Sequence, residues 1–421
     1  MHQVTTITAS LQAATYDQNV RIGELSFFTT EQLDQASYAA LLSGLAYLYD
    51  AFEQVLRDAN DPPMQAIWGR ELHKQPLLLQ DAAAVAASAR PVPAVTISAE
   101  LLGEHLRLRA AHDPRSLLGS AYALATWYMG GPELSARLAR ALRLGGGAGL
   151  SYLDSFDSWG QAHWPTFAAQ IEAVPLSAEG QQQVVAAARE VLDGIEQLLN
   201  QLHPLNESPA SELVTLFNPL AGNHPISDDM EELKAALRAH QRMDQIFPYM
   251  ELRYGIKGRK FSWSDGCWMI SLTGEAQASV NQQVQWLARL LARRGMPQWF
   301  MECHLLFLAD ELNRVLPANR ERYATLIETA RFLATERSKY VNDTELGALD
   351  EAFYAQAGQE WHSWMPNCGG LIASAVADHL NGVPHALEAI EGWMTDPARF
   401  PAAWVDAARA TIARAHALRG A

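Results

Sequence analysis

The sequence predicts an all-α protein built as two helical domains. Three observations lead there: most segments carry helical hydrophobic periodicity, strand-type alternation is nearly absent, and a proline-rich break divides the chain near its middle. In residues 35–56 the apolar positions Tyr38, Leu41, Leu42, Leu45, Leu48, Tyr49 and Phe52 recur at spacings of three and four. That spacing places them on one buried stripe. Similar stretches predict helices over 4–23, 99–111, 114–143, 161–173 and 177–202, with Asp61-Pro62-Pro63 and Gly145-Gly146-Gly147 as punctuation. Residues 203–229 carry four prolines and lose periodicity, so they are expected to link a first domain, 1–202, to a second, 230–421. In the second half the pattern predicts helices over 231–252, 274–294, 297–315, 318–338, 345–357, 367–381, 383–395 and 400–418. The helix ending near Arg293 and Arg294 shows the logic. Cations suit the C-terminal dipole, and Gly295 can take the positive φ of a C-terminal cap.

Composition narrows the function classes. The 421 residues hold 32 Lys+Arg against 47 Asp+Glu, a formal charge of −15, so the global field opposes nucleic acid and anionic lipid. Neither nucleic-acid nor membrane partners are expected. The most apolar stretch, starting at Ala82, is interrupted by Arg90, Pro91 and Pro93, too soon for a membrane span. No secretory leader is expected from MHQVTTITASLQ. Three cysteines, Cys267, Cys303 and Cys368, form no C-x-x-C pair and are too few for a disulfide framework, which points to a reducing cytoplasm.

The first half carries a resemblance, distributed over five stretches in order: LQAATYDQNVRIGELSFF, QASYAALLSGLAYLYDAFEQVL, RELHKQPLLLQDA, PRSLLGSAYALATWYMGGPELSARLARALRL and QIEAVPLSAEGQQQVVAAAREVLDGIEQLL. Together, from about Leu11 to Leu202, they resemble the biliverdin-producing heme oxygenases. The resemblance implies an all-α bundle that holds heme, a tetrapyrrole, between a proximal and a distal helix. It also implies where the heme-binding residues should stand, and there this sequence departs. The proximal histidine of the family lies four positions after the Thr of a Leu-x-x-Ala-Thr pattern, which here runs from Leu11 to Thr15 and puts Asn19 at the ligand position. An Asn amide is a poor iron ligand beside a neutral imidazole. The family's distal helix has a glycine where this chain has Trp127, while Gly130 and Gly131 follow in the motif. An indole fills the space that glycine leaves open. The basic residues that hold the propionates correspond to Gln12 and Tyr16 on the first helix, and to the neighbourhood of Gln170 later. Arg21 is the remaining base on the first helix.

Because fold does not establish function, these departures decide the expectation. The leading one is a degenerate heme-oxygenase-fold protein, a pseudoenzyme that binds a hydrophobic or tetrapyrrole ligand or a protein partner, or packs as a regulatory scaffold. One alternative is an active biliverdin-producing enzyme with an atypical heme site. Another is a non-heme metal oxidase.

Other constellations are weaker. His240 with Asp244 and His385 with Glu388 have helical metal-ligand spacing, but both pairs lie in the second half and read as surface pairs. Consecutive Glu302, Cys303 and His304 point about 100° apart on a helix, which is poor geometry for one metal. No nucleophile elbow, P-loop or dinucleotide fingerprint occurs. One stretch runs against the acidic whole: ELRYGIKGRKFSWSDGCW sets Arg253, Lys257, Arg259 and Lys260 beside Tyr254, Phe261, Trp263 and Trp268. Read as a turn, it is a candidate surface for an anionic ligand or an acidic partner.

Overall fold

The computed structural model describes residues 6–29, 33–59, 61–85, 92–127, 131–144, 148–208, 214, 218, 220–222, 224–227 and 229–418, with backbone alone at 26, 131–134, 157–161, 256 and 259. Among the described residues there is no strand, only an isolated bridge between Leu202 and Leu205. The chain divides into two compact units, Met1–Ala210 and Ser211–Ala421.

In the first unit the helices are α1 (Ile7–Glu24), α2 (Ser26–Thr29), α3 (Gln35–Asp58), α4 (Pro62–Ile67), α5 (Gln75–Val85), α6 (Pro93–His112), α7 (Leu117–Thr126), α8 (Gly131–Leu142), α9 (Ser151–Ala162), α10 (Trp164–Glu172) and α11 (Ala178–Leu199). Their starts follow from local chemistry. Thr6, Asp34, Asp61 and Ser177 accept backbone N–H groups at the first turns of α1, α3, α4 and α11. The stripe predicted for α3 is buried, Tyr38, Leu42, Leu45, Leu48 and Phe52 completely so. At the centre, α7 and α11 approach so closely that a Cβ on Gly119 would lie 1.8 Å from the Val184 carbonyl oxygen. Only glycine permits that contact.

The second unit contains α12 (Met230–Ile246), α13 (Tyr249–Ser271), α14 (Gln277–Ala292), α15 (Gln298–Val315), α16 (Arg320–Ser338), α17 (Asp343–Ala357), α18 (Glu360–Trp364), α19 (Cys368–Leu380), α20 (Ala386–Met394) and α21 (Ala402–Ala417). Gly295 caps the end of α14 with φ 88°, as its sequence neighbours imply. Asn342 and Glu345 form a reciprocal capping box on α17. Its core is aromatic at one end, where Phe353, Phe400 and Trp404 pack with centroids 4.6–4.7 Å apart.

Three segments differ from the expectation. The helix expected over 114–143 is broken, since α7 stops before Trp127 and α8 begins at Gly131. The stretch expected over 161–173 belongs to two helices, α9 and α10, divided at His163 before Pro165. The basic aromatic stretch is helix rather than turn: α13 runs through it and absorbs the interruption at Gly255, whose φ of 55° and ψ of −148° suit glycine. Gly255 and Gly258 make the segment look loop-like to periodicity, whereas tertiary packing holds it helical.

Candidate functional site

The candidate ligand face of the first unit is built on α1. Its buried stripe is Ile7, Leu11, Thr15, Gln18 and Ile22. Asn19 sits beside that stripe, about 100° round the helix from Gln18. It is half-buried, and its Oδ1 is shielded from solvent with no hydrogen-bond partner. Gln12 and Tyr16 are exposed on the same side. Arg21 turns the other way, to α11, where its Nη2 lies 3.0 Å from Glu196 Oε2. It is therefore spent on a surface ion pair and faces away from Asn19.

α7 approaches α1 at a pair of hydroxyls. Tyr122, on α7, lies near the Thr15 hydroxyl, one turn before Asn19, and burial raises its phenol above the ordinary range. Its ring meets Trp164 of α10 at 5.9 Å, and Trp164 meets Phe167 at 5.9 Å. Gln170 lies one turn further along α10, half-buried. At the end of α10, Glu172 accepts from the Ile7 and Thr8 backbone N–H groups at 3.2 and 2.9 Å, fixing the start of α1.

Trp127 is buried at the end of α7, near the Tyr49 hydroxyl of α3. Tyr49 donates to the Leu124 carbonyl at 2.9 Å and stands 3.4 Å from the Tyr152 hydroxyl. Burial raises the Tyr49 phenol far above its ordinary value, so it stays neutral. Trp127 is thus part of the packed core around the Tyr49 hydroxyl. Gly131 opens α8, and Gly130 lies outside the described residues. Asn19, Gln12 and Tyr16 share one face of α1. Trp127 is packed in the core with Tyr49 of α3.

The second-unit candidates separate as well. Arg253 is half-buried: Nη2 donates to the Ala389 carbonyl at 2.8 Å, Nη1 donates to the Tyr249 hydroxyl, and the guanidinium lies 5.0 Å from the Tyr254 ring centroid. Lys257 and Lys260 are exposed on α13, and the Arg259 side chain lies outside the described residues. The His240–Asp244 pair is not on the surface. His240 is buried, Nε2 lying 3.3 Å from Asp244 Oδ2 and Nδ1 3.2 Å from Ser262 Oγ. His385 and Glu388 are exposed. Glu302, Cys303 and His304 diverge as the helical angle requires. Glu302 pairs with Arg337, Cys303 is half-buried against the core, and His304 is buried toward Gly266 with its pKa lowered by burial to about 4. Among the described residues no group of three or more His, Cys, Asp or Glu side chains can hold a metal ion. Among them, too, no helix is long and apolar enough to cross a membrane.

Sequence reasoning missed the approach of Tyr122 to Thr15, the Tyr49–Tyr152 hydroxyl pair and Lys74. Lys74 is buried at the start of α5 with Nζ 4.9 Å from the Phe156 centroid, and burial lowers its amine to about 8. No sequence spacing links these residues, because each partner comes from a different helix.

The first unit is therefore an all-α, heme-oxygenase-like bundle. Residues 5–201 match the sequence model of the family described as Heme oxygenase, and the match leaves the second half uncovered. Among solved structures, heme oxygenase-2 from Synechocystis sp. PCC 6803, in complex with heme and NO, is similar at 20% identity and TM-score 0.43, covering 53% of this chain and 98% of that one. Heme oxygenase from Leptospira interrogans is similar at 20% identity and TM-score 0.41, covering 47% and 100%. Heme oxygenase-1 from the same Synechocystis, in complex with heme, stands at 19% and 0.40, covering 47% and 93%. No curated protein matches the chain in sequence.

Proposed function

We propose that the first unit is a degenerate heme-oxygenase domain that no longer cleaves heme and instead acts as a ligand-binding or regulatory module. The observation that carries this reading is Trp127. It stands at the position of a family glycine and is buried in the hydrophobic core of the unit. A side chain of that size, packed into the core, removes the room that a backbone over a bound macrocycle requires.

The other residues of the face agree. Asn19 offers an amide where the family offers an imidazole, and the base nearest to it along α1, Arg21, is paired with Glu196. The propionates of heme would find Gln12, Tyr16 and Gln170 in place of cations. The residues present do not fit heme as the family holds it. What they do offer is aromatic surface and neutral hydrogen-bonding groups, suited to a hydrophobic or metal-free tetrapyrrole ligand, or to a protein segment.

The test is to titrate the purified full-length chain with hemin, recording the absorbance spectrum and iron content. Weak binding without a histidine-ligated ferric spectrum is expected. Asn19→His alone should improve ligation only partly, because Trp127 and the absent propionate partners remain. Tight one-to-one binding with a sharp Soret band and conversion to biliverdin with a reductant would overturn the proposal.

A further inference from the structure

The N-terminus of α15 is closed from another helix. Pro297 supplies no side-chain cap, so the first N–H groups of α15 need acceptors from elsewhere. Asp378, near the end of α19, provides them: Oδ2 accepts from the Gln298 backbone N–H at 2.9 Å, and Oδ1 accepts from Gln298 Nε2 at 2.7 Å. Ser374, one turn earlier on α19, accepts from the Trp299 N–H at 3.3 Å. Asp378 and Gln298 are each 1% exposed.

The charges around this contact do not balance. Glu302, one turn beyond Gln298, takes the buried cation of the layer. Arg337 donates from Nε at 2.9 and 3.2 Å and from Nη2 at 2.8 Å to Glu302. The remaining Arg337 donations go to Asp343 at 2.6 Å and to the Val341 carbonyl at 2.9 Å. Two buried carboxylates thus stand beside one guanidinium, which also serves an exposed carboxylate. Asp378 is left with neutral donors from one glutamine. A buried charge so placed is relieved most simply by binding a proton.

We propose that Asp378 and Gln298 form a proton-dependent latch between α19 and α15, an acid facing an amide at lower pH and a carboxylate held by the amide at higher pH. The amide can serve both states. Gln298 Oε1 is buried without a partner, and turning the amide over presents a carbonyl to the acid O–H. Burial raises the Asp378 carboxyl to about 7 against the pull of its Gln298 bonds, Glu302 adding to the rise and Arg337 opposing it. The other ionisable groups on or against α19 are engaged elsewhere. Asp350 of α17 accepts from the Gly370 N–H, Arg289 of α14 donates to the Asn381 carbonyl, and His379 meets His416 of α21 ring to ring.

The sign follows from linkage. A folded-state pKa above the unfolded value means that the native protein holds the proton longer. The stability it contributes is full below about pH 4, falls as pH rises, and is gone above about pH 7. Relative to an Asp378→Asn variant, the unfolding constant of the wild type should rise by up to about tenfold per pH unit across that window. The test is urea unfolding of the full chain from about pH 4.5 to 8, wild type against D378N, with infrared spectra to detect a protonated carboxyl. Asp265 also lies near 7 through burial, opposed by Arg294, so the infrared experiment uses D265N as background. The expected result is a flatter pH profile for D378N, and an acid carbonyl band in D265N that fades through neutral pH. Parallel profiles, or no such band in D265N, would overturn the latch. Glu302, Asp350 and Asp193 are also raised by burial, so should D378N fail to fold, Gln298→Ala in the D265N background decides. The latch requires the midpoint of the fading band to move up when the amide is removed, and an unmoved band overturns it.

Discussion

The α1–α7–α10 face of the first unit and the α15–α16–α19 layer of the second bury polar groups in different ways. The first uses neutral partners: Thr15 with the Leu11 carbonyl, Tyr49 with the Leu124 carbonyl and Tyr152, and a half-buried Asn19 amide with an unanswered oxygen. The second uses ions, with Glu302 and Arg337 at 5% and 1% side-chain exposure and Asp378 beside them. A neutral hydrogen-bonded face can lose a partner at the cost of one hydrogen bond. An ionic layer that loses a partner is left with an uncompensated charge, and the layer is correspondingly intolerant.

Arg337→Met therefore has the largest expected effect. It strands Glu302 in the interior and should destabilise the second unit by about 3–5 kcal/mol, read by chemical denaturation. Adding Glu302→Met should recover most of the loss, since a well-packed apolar pair replaces a buried ion pair at little net cost. A single-variant loss below about 1 kcal/mol would show that the layer is hydrated, and the contrast with the first unit would disappear.

Trp127→Ala comes next. Deleting a buried indole leaves a cavity at the end of α7, at a cost of about 3 kcal/mol. The side chain ends a helix, and the chain that follows has some freedom to collapse, so the loss should sit at the low end for large-to-small changes. Denaturation of the first unit, followed by far-UV circular dichroism, provides the measurement. A change below about 1 kcal/mol would mean that Trp127 is poised at an open site, which favours a ligand stacked on it.

These contrasts also mark what the sequence could reveal. Helix existence was legible wherever an apolar stripe ran for three turns, as in α3, α11 and α14, because burial of one face dominates local preference. The family scaffold was legible too, as ordered segments whose packing needs survive the exchange of site residues. Short α4 and α5 were not, nor was α13, where Gly255 and Gly258 break the pattern while tertiary contacts sustain the helix. At the site, the identity of each departure could be read at Asn19 and Trp127, but their surroundings could not. That Arg21 pairs with Glu196, or that Tyr49 bonds the Leu124 carbonyl, depends on which helices meet, and no spacing along the chain encodes it. The burial of His240 against Ser262 escaped for the same reason.

The smallest stability effect belongs to the basic face of α13, where it separates binding from structure. Lys257 and Lys260 stand three residues apart, exposed, on a chain of net charge −15, while Arg253 turns inward to Tyr249 and Ala389. If the face recognises an acidic partner, Lys257→Ala with Lys260→Ala should weaken binding of a poly-glutamate probe strongly at low salt and less at high salt, because screening already removes part of the attraction. Stability should stay within about 0.5 kcal/mol of the wild type, as for other surface substitutions. Arg253→Ala should do the reverse. It removes a guanidinium that joins α13 to α20 and packs on Tyr254, so unfolding should become easier, with little change in the salt dependence of binding. If both variants lose probe binding in the same proportion, Arg253 belongs to the recognition surface despite its contacts. If neither does, the lysines of α13 only solvate an acidic protein, and the search for its partner moves to the neutral face of the first unit.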